Sequence, residues 1–248
     1  MITYNNIRTV ETALKSLSWA DEIIVVDSVS SDGTAEVAER YATVFKSQSF
    51  LGFQKQYQLA ASLCSNKWRF FLDADEAISP EMVKSIQETV TREESKASGA
   101  VHGFYGNRQN FYLGRWIKHG GWKKDRELRL YNSEFGDWVA GLHSCLTIEG
   151  EAGVLGGLLN HYPYADISGQ LATIDKYSGI DAQERFEKGK KMNICKLLLN
   201  PPWRFVRDYL FKLGFLDGFA GFVIAVNTAF YVFVKSCKLY ELQKDLKK

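Results

Sequence analysis

The chain has 248 residues, 46% hydrophobic, 14% aromatic and 24% charged, enough for one large domain or a domain with an appendage and too apolar for a disordered chain. The formal net charge of +2 conceals an asymmetry: residues 1–184 carry 18 Lys and Arg against 24 Asp and Glu, whereas residues 185–248 carry 13 against 5. A weakly acidic body with a basic, aromatic tail argues against a nucleic-acid partner and suits an anionic membrane surface. Cys64, Cys145, Cys195 and Cys237 are too dispersed for a C-x-x-C metal pair or a dense disulfide framework, which fits a reducing compartment. Met1–Asn6 is not a basic segment leading into an apolar run, so no secretory signal is expected, and the protein is expected in the cytosol or on its membrane face.

In chain order, Glu22-Ile-Ile-Val-Val-Asp27 is a short β-branched run, the pattern of a parallel strand buried on both faces. Ser28-Val-Ser-Ser-Asp-Gly-Thr34 is a loop by composition, and Thr34 with Ala-Glu-Val-Ala-Glu-Arg begins a capped helix. Gln54–Cys64 is compatible with a helix and Trp68-Arg-Phe-Phe-Leu72 reads as a strand. Ser79-Pro80-Glu81 then supplies an N-cap and a first-turn proline for a helix to about Arg92. Strand, helix, strand, helix predicts a doubly wound α/β sheet. After Ser98, the aromatic, glycine-rich segments Val101–Leu113, Glu127–Tyr131 and Leu142–Ile148 predict antiparallel strands added to it. From Asp166 onward helix dominates; Pro201-Pro202 is expected to break the chain, with a last helical region from about Trp203 to the C-terminus.

Leu213–Val234 holds 22 residues with one charge, Asp217, and is long enough as a helix to cross a bilayer. Asp217 and Asn227 would be costly in a lipid-exposed span, so a crossing helix, a re-entrant or interfacial helix pair and a buried core helix all stay open. Gly221, Ala225 and Ala229 recur every four residues and would let another helix approach closely, while Lys212, Lys235 and Lys238 sit where interfacial anchors would.

Asp73-Ala-Asp75 follows the apolar Phe70-Phe-Leu72, so both carboxylates are expected at the carboxyl end of a parallel strand, where open α/β sheets bind ligands. Two acids one residue apart can share a hard divalent cation whose other positions go to a diphosphate and water. The spacing alone is common, and turn or capping carboxylates are its structural alternative. Asp27 ends the preceding strand in an equivalent place, able to meet a base or ribose or to order its loop, whereas Asp32 is expected to organise the turn and cap. Gly120–Tyr131 packs acids and cations between a glycine pair and a strand. Asp125 or Glu127 can serve there as a base while Arg126 and Arg129 steady phosphate; the alternative is a charged hairpin turn. His143 and His161, each taken alone, read as packed histidines.

Thr3-Tyr-Asn-Asn6, Asp21-Glu-Ile-Ile-Val-Val-Asp-Ser-Val-Ser-Ser-Asp-Gly-Thr34, Trp68-Arg-Phe-Phe-Leu-Asp-Ala-Asp-Glu76 and Arg126-Glu-Leu-Arg-Leu-Tyr131 stand in order within residues 1–165. Together they resemble glycosyltransferase family 2, the inverting GT-A transferases, and within it the bacterial lipopolysaccharide core β-glucosyltransferases. Gly214-Phe-Leu-Asp-Gly218, the apolar stretch after it and Lys238-Leu-Tyr-Glu-Leu242 resemble the C-terminal region of those enzymes. The resemblance implies an α/β fold: a GT-A, Rossmann-like mixed sheet as catalytic domain over residues 1–165, and a helical, basic and apolar membrane-associating region over 166–248. It also implies Thr3 and Asn5 in the nucleotide pocket, Asp27 at the uracil or ribose and Lys55 near the diphosphate. Asp73 would contact ribose or metal, with Ala74 in the same nucleotide-sugar site, and Asp75 would be the direct ligand of Mg2+ or Mn2+. Asp125 takes the family's general-base position, and His143 would complete the metal or acceptor site. The implied reaction moves a sugar, glucose from UDP-glucose, onto a lipid-linked glycan such as the lipopolysaccharide inner core. Its expected place is the cytoplasmic face of the bacterial inner membrane, peripheral or monotopic.

The chain departs from the family pattern at four points. The apolar first strand usual before Thr-Tyr-Asn is expected to be truncated, or the start at Met1 mis-assigned; Asn6 replaces an acid, Val29 a glycine and Tyr57-Gln58 a Lys-Asn pair. Val29 is the most awkward, because a β-branched residue resists the positive φ that glycine permits. These departures motivate an alternative expectation, a membrane-associated nucleotide-sugar-binding or scaffold protein without turnover. Nucleotidyl transfer is disfavoured, since the sequence has no Gly-rich, Lys-bearing phosphate loop.

Overall fold

The computed structural model describes residues 1–123, 125–139 and 145–245. The chain divides into two compact units, Met1–Arg108 with Asp125–Tyr162 and Gln109–Lys124 with Pro163–Lys248. In the first unit, strands β1 (Ile2–Thr3), β2 (Ile24–Asp27) and β3 (Val44–Ser47) form a parallel sheet in that order. The β-branched run of β2 is buried at every position, as a strand covered on both faces requires. Helices α1 (Val10–Lys15) and α2 (Thr34–Tyr41) connect these strands, and α3 (Phe53–Ser62) follows β3. Asp32 does organise the start of α2: its carboxylate accepts from the Thr34 backbone N–H at 3.0 Å and from the Ile7 N–H at 3.1 Å.

Among the described residues none of the later strands joins the parallel sheet, and the strand before Asp73, expected to be parallel, lies at the edge of a second sheet because its hydrogen-bonding partner is the antiparallel β-run ending at Asn132. Strand β4 (Trp68–Phe70) pairs antiparallel with β8 (Asp125–Asn132), placing Trp68 opposite Asn132 and Phe70 opposite Leu130. The sheet that results has seven strands and the order β4-β8-β6-β12-β5, where β5 is Glu76–Ile78, β6 Gly103–Tyr112 and β12 Leu159–His161. Two short strands, β7 (Arg115–Trp116) and β11 (Gly153–Val154), pair with β6, while β9 (Gly136–Val139) and β10 (Cys145–Ile148) make a separate hairpin. The long helix of this unit, α4 (Pro80–Glu94), starts as its sequence dictates, with proline in the first turn and Ser79 Oγ accepting from the Met82 N–H at 3.3 Å. Val10, Leu14, Val25, Leu72, Met82 and Leu159 pack as one core, each fully buried Leu or Met contributing roughly 1.5–3 kcal/mol. Gly157 is obligatory here: its φ is +78° and a Cβ would stand 2.3 Å from the Met82 backbone nitrogen.

In the second unit, α5 (Ile167–Glu187) is capped by Asp166, which accepts from the Gly169 N–H at 2.8 Å. Helix α6 (Ile194–Val206) runs through Pro201 and Pro202, so the expected break is not there. Proline's fixed φ is itself helical, and the carbonyls left without donors belong to a helix that buries none of its residues. The interruption comes later, where Arg207–Phe211 widens into a π turn and Leu213 takes φ +61°. A 3-10 turn, Gly214–Asp217, leads into α7 (Gly218–Asp245), so the expected helix over 213–234 starts five residues late. Gly221 permits this close turn, since a Cβ there would lie 1.9 Å from the Gly214 carbonyl oxygen. Tyr112, Ile117, Ala220 and Ile224 form the core, and Asn227 and Tyr112 both donate to the buried Gln170 Oε1.

Candidate functional site

The first unit gathers five carboxylates and two arginines from three separate stretches of sequence. Asp73 and Asp75 follow β4, Glu76 opens β5, and Asp125 and Glu127 lie on β8. Arg129, buried on β8, donates from Nη2 to Glu76 Oε1 at 2.7 Å and to Asp73 Oδ2 at 3.0 Å. Arg108 on β6 grips Asp125 with both ends of its fork, at 3.0 and 2.6 Å, and reaches Glu127 at 2.8 Å and Glu76 at 3.6 Å. Antiparallel pairing of β6 with β8 sets Arg108 directly across from Asp125. Glu76, fully buried between the arginines, is thus the common anchor of Asp73 on one side and Asp125 on the other.

The electrostatics follow from burial. Burial pushes the Glu76 carboxyl well above the usual carboxylate range, against the pull of Arg129. Burial also acts on Asp75, yet the His161 ring, with Nε2 3.4 Å from Asp75 Oδ2, outweighs it and leaves this carboxyl below its ordinary value. Burial opposes the charge on Arg108 and Arg129 as well, and their acidic neighbours more than restore it. Asp73, Asp75, Asp125 and Glu127 keep partly exposed side chains, whereas Glu76 and Arg129 do not.

The residues expected around the nucleotide occupy the edge formed by β1, β2 and α3. Thr3 is buried on β1 in register with Asp27, and Asn5 adopts φ 50°, a left-handed conformation asparagine tolerates. Asn5 is tied to the loop after β2 twice: its N–H donates to Ser30 Oγ and its Oδ1 accepts from the Ser31 N–H, both at 2.9 Å. Asp27 is fully buried, and its two oxygens accept from the Ser30 N–H at 2.8 Å and Ser30 Oγ at 2.5 Å. Val29, between them, takes the predicted positive φ, 63°, with its side chain exposed. Lys55 is exposed on α3 and Ala74 is buried between the two aspartates; His143 lies outside the described residues.

Several site residues were not apparent from the sequence. Glu76 closes the Asp-Ala-Asp-Glu run but was given no role there, and Arg108 carries no local signal, because strand pairing alone brings the two together. His161 stands beside Asp75 because β12 pairs with β5, setting His161 opposite Glu76. Gln56 on α3 is fully buried and donates to Ser28 Oγ at 3.1 Å and to the Gln48 carbonyl at 3.4 Å, fastening the loops after β2 and β3. Arg129 was read as a phosphate contact and is instead buried against acids and over the Phe71 ring at 5.1 Å. A cavity of about 800 Å³ in this unit is lined by Met1, Ile24, Trp68, Leu72, Ile86 and Trp138 and includes none of the aspartates at 27, 73 and 75.

Among the described residues, no three or more His, Cys, Asp or Glu side chains are grouped to hold a metal by themselves. The donor set around Asp75, one carboxylate low in pKa with Asp73 nearby, fits an ion completed by diphosphate oxygens and water.

The family profile described as Glycosyl transferase family 2 matches residues 1–147. The chain is 29% identical over 236 residues to the lipopolysaccharide core biosynthesis glycosyltransferase LpsC of Rhizobium meliloti, an alignment covering 92% of this chain and 86% of that one. It is 28% identical over 264 residues to an uncharacterised glycosyltransferase of Rickettsia typhi, covering 98% and 86% respectively. Among solved structures, the mannosyltransferase PcManGT from Pyrobaculum calidifontis, in complex with GDP-Man and Mn2+, is similar with a TM-score of 0.50 at 13% identity, covering 96% of this chain and 85% of that chain, a likeness of fold.

Proposed function

The chain belongs to glycosyl transferase family 2, and from that premise we propose that it moves glucose from UDP-glucose, with inversion, to a hydroxyl of a lipid-linked glycan such as the lipopolysaccharide inner core. The observation that carries this reading is the pair of arginines that links Asp73 and Asp125 through one buried glutamate. A donor-side aspartate and a base are thereby held in one rigid frame, the arrangement single-displacement transfer needs.

Residues 1–165 are the catalytic domain in this reading, with Thr3, Asn5, Asp27, Lys55, Asp73 and Ala74 lining the nucleotide-sugar site. Asp27 acts by fixing Ser30 and so the loop that borders the nucleotide. Asp75, with His143 as its partner, would hold Mg2+ or Mn2+, which when bound supplies positive charge to the diphosphate leaving group. Asp125 accepts the proton of the acceptor hydroxyl, and Arg108 keeps its carboxylate aimed. Residues 166–248 associate with the cytoplasmic face of the bacterial inner membrane, where a lipid-linked acceptor is presented.

The base assignment is tested by comparing Asp125→Asn with Glu127→Gln for donor binding and for sugar transfer. Asp125→Asn is expected to bind UDP-glucose normally and to lose transfer by at least a hundredfold, consistent with the usual weight of general-base catalysis. Full turnover in Asp125→Asn with loss in Glu127→Gln would move the role to Glu127.

A further inference from the structure

Helix α7, together with the 3-10 turn before it, contains an apolar window long enough to cross a membrane by length and composition. Its neighbours in the second unit argue against crossing. Along one side it is fastened to α5: Asn227 donates to Gln170 at 2.5 Å, Tyr231 and Lys235 bind Asp181, and Lys238 binds Asp175 at 2.7 Å. At its start, the buried Asp217 accepts from the Lys118 and His119 N–H groups at 3.0 and 2.7 Å. A spanning α7 would drag α5, with its Asp175, Asp181, Glu184, Arg185 and Glu187, into hydrocarbon or abandon these bonds.

The other side of the same unit is apolar and bare. Helix α6 buries none of its residues, and Leu199, Phe211 and Phe219 are 68%, 68% and 70% exposed, with Leu198, Trp203 and Leu216 also exposed. A patch of this kind marks an interaction site. Its residues are packed on one another and tied to the rest of the unit. Phe205 stacks on Tyr209 at 5.2 Å and Tyr209 meets Phe222 edge-on at 5.7 Å, while the Lys212 carbonyl accepts from the Gly120 N–H at 2.9 Å.

Charge identifies the occupant. Arg204 and Arg207 both donate to the buried Asp208, at 2.7 and 2.8 Å, and Lys212 stands 3.7 Å away, so three cations share one carboxylate at the apolar turn. Lys190, Lys191 and Lys196 are exposed at and before the start of α6. Bare aromatic and aliphatic groups flanked by basic ones are what an anionic lipid surface binds.

We propose that α6, the turn 207–217 and the first turns of α7 insert into one leaflet of an anionic bilayer, with α7 lying in the interface and not crossing it. This deepens the membrane-face reading above and rests on it, naming the inserting segment and its topology. The full chain is floated with vesicles of phosphatidylethanolamine and phosphatidylglycerol at 7:3, and with phosphatidylcholine alone. Wild type is expected to bind the anionic vesicles at least tenfold better, and Phe211→Asp with Phe219→Asp to lose that binding. UDP-glucose binding, measured on the same variant, is expected to stay intact, which separates failure of this proposal from failure of the donor assignment, and far-UV circular dichroism equal to that of wild type is expected to show that the helices of the second unit still fold. Topology is read with Lys244→Cys in a background where Cys64, Cys145, Cys195 and Cys237 are all replaced by serine, labelled by an impermeant maleimide on vesicles. Labelling before detergent supports the in-plane helix; labelling only after detergent means α7 crosses and overturns it. Equal binding to both vesicle types, or vesicle-independent dimers that Phe211→Asp dissolves, would also overturn the proposal.

Discussion

The two units bury charge for different ends. In the first, Glu76 is sealed between Arg129 and Arg108, and both arginines continue outward to partly exposed carboxylates at Asp73, Asp125 and Glu127. In the second, the buried Asp217 is held by the Lys118 and His119 N–H groups, the His119 ring and Arg115, and Asp208 by cations within four residues, and around them the surface is apolar. A buried carboxylate linked through arginines to exposed carboxylates organises a polar site; one whose partners lead to no further carboxylate pins a turn. The comparison teaches that burial of charge alone does not mark function, whereas the direction in which its partners lead does.

The sharpest way to break that contrast is to remove the anchor of each unit. Glu76→Ala leaves the buried Arg129 with only the partly exposed Asp73 and Glu127 as acidic partners, and is expected to cost about 3 kcal/mol in urea unfolding, together with donor binding and transfer. Asp217→Ala orphans the Lys118 and His119 N–H groups for an expected loss of about 2–3 kcal/mol, while donor binding in the first unit persists. If Asp217→Ala abolished donor binding as completely as Glu76→Ala, the division of roles would fail.

Another buried carboxylate, Glu93, sharpens the comparison through pH. Burial raises the Glu93 pKa, but Lys96, the Val101 N–H and Arg92 pull it the other way, down to about 2 from 4.5. Because the folded value lies below the unfolded one, the stability it contributes is present above pH 4.5 and is lost as pH falls toward 2. Acid unfolding of Glu93→Gln should therefore show a shallower limb in that window; an unchanged slope would remove Glu93 from the account. The smallest effect is expected at Val29, whose φ of 63° suits glycine. Val29→Gly is expected to stabilise the protein by about 1 kcal/mol in thermal unfolding, since a non-glycine residue pays roughly 1–2 kcal/mol there and glycine returns part of it as chain entropy.

What was legible in the sequence was local. The β-branched run into Asp27, the Ser79-Pro80 start of α4, the Asp32 turn and the awkward φ of Val29 each depend on neighbours a few residues away, and each is found. The aspartates at 73 and 75 were legible for the same reason, standing just after an apolar strand. Long-range pairing was not legible. That Arg108 faces Asp125, that His161 reaches Asp75 and that Gly120 bonds Lys212 depend on strand register and turn geometry that no short window contains. Pro201-Pro202 misled for the opposite reason: a local rule about broken hydrogen bonds overstates the cost on a helix with no buried residue.

The central claim is tested most directly by titrating the purified chain with UDP-glucose in a calorimeter, with Mn2+ and then with chelator, alongside Asp75→Ala. The account predicts binding selective over UDP-galactose, UDP-N-acetylglucosamine and GDP-mannose, lost with chelator and lost in Asp75→Ala. Absence of binding to every donor, or binding indifferent to both Mn2+ and Asp75, would contradict it.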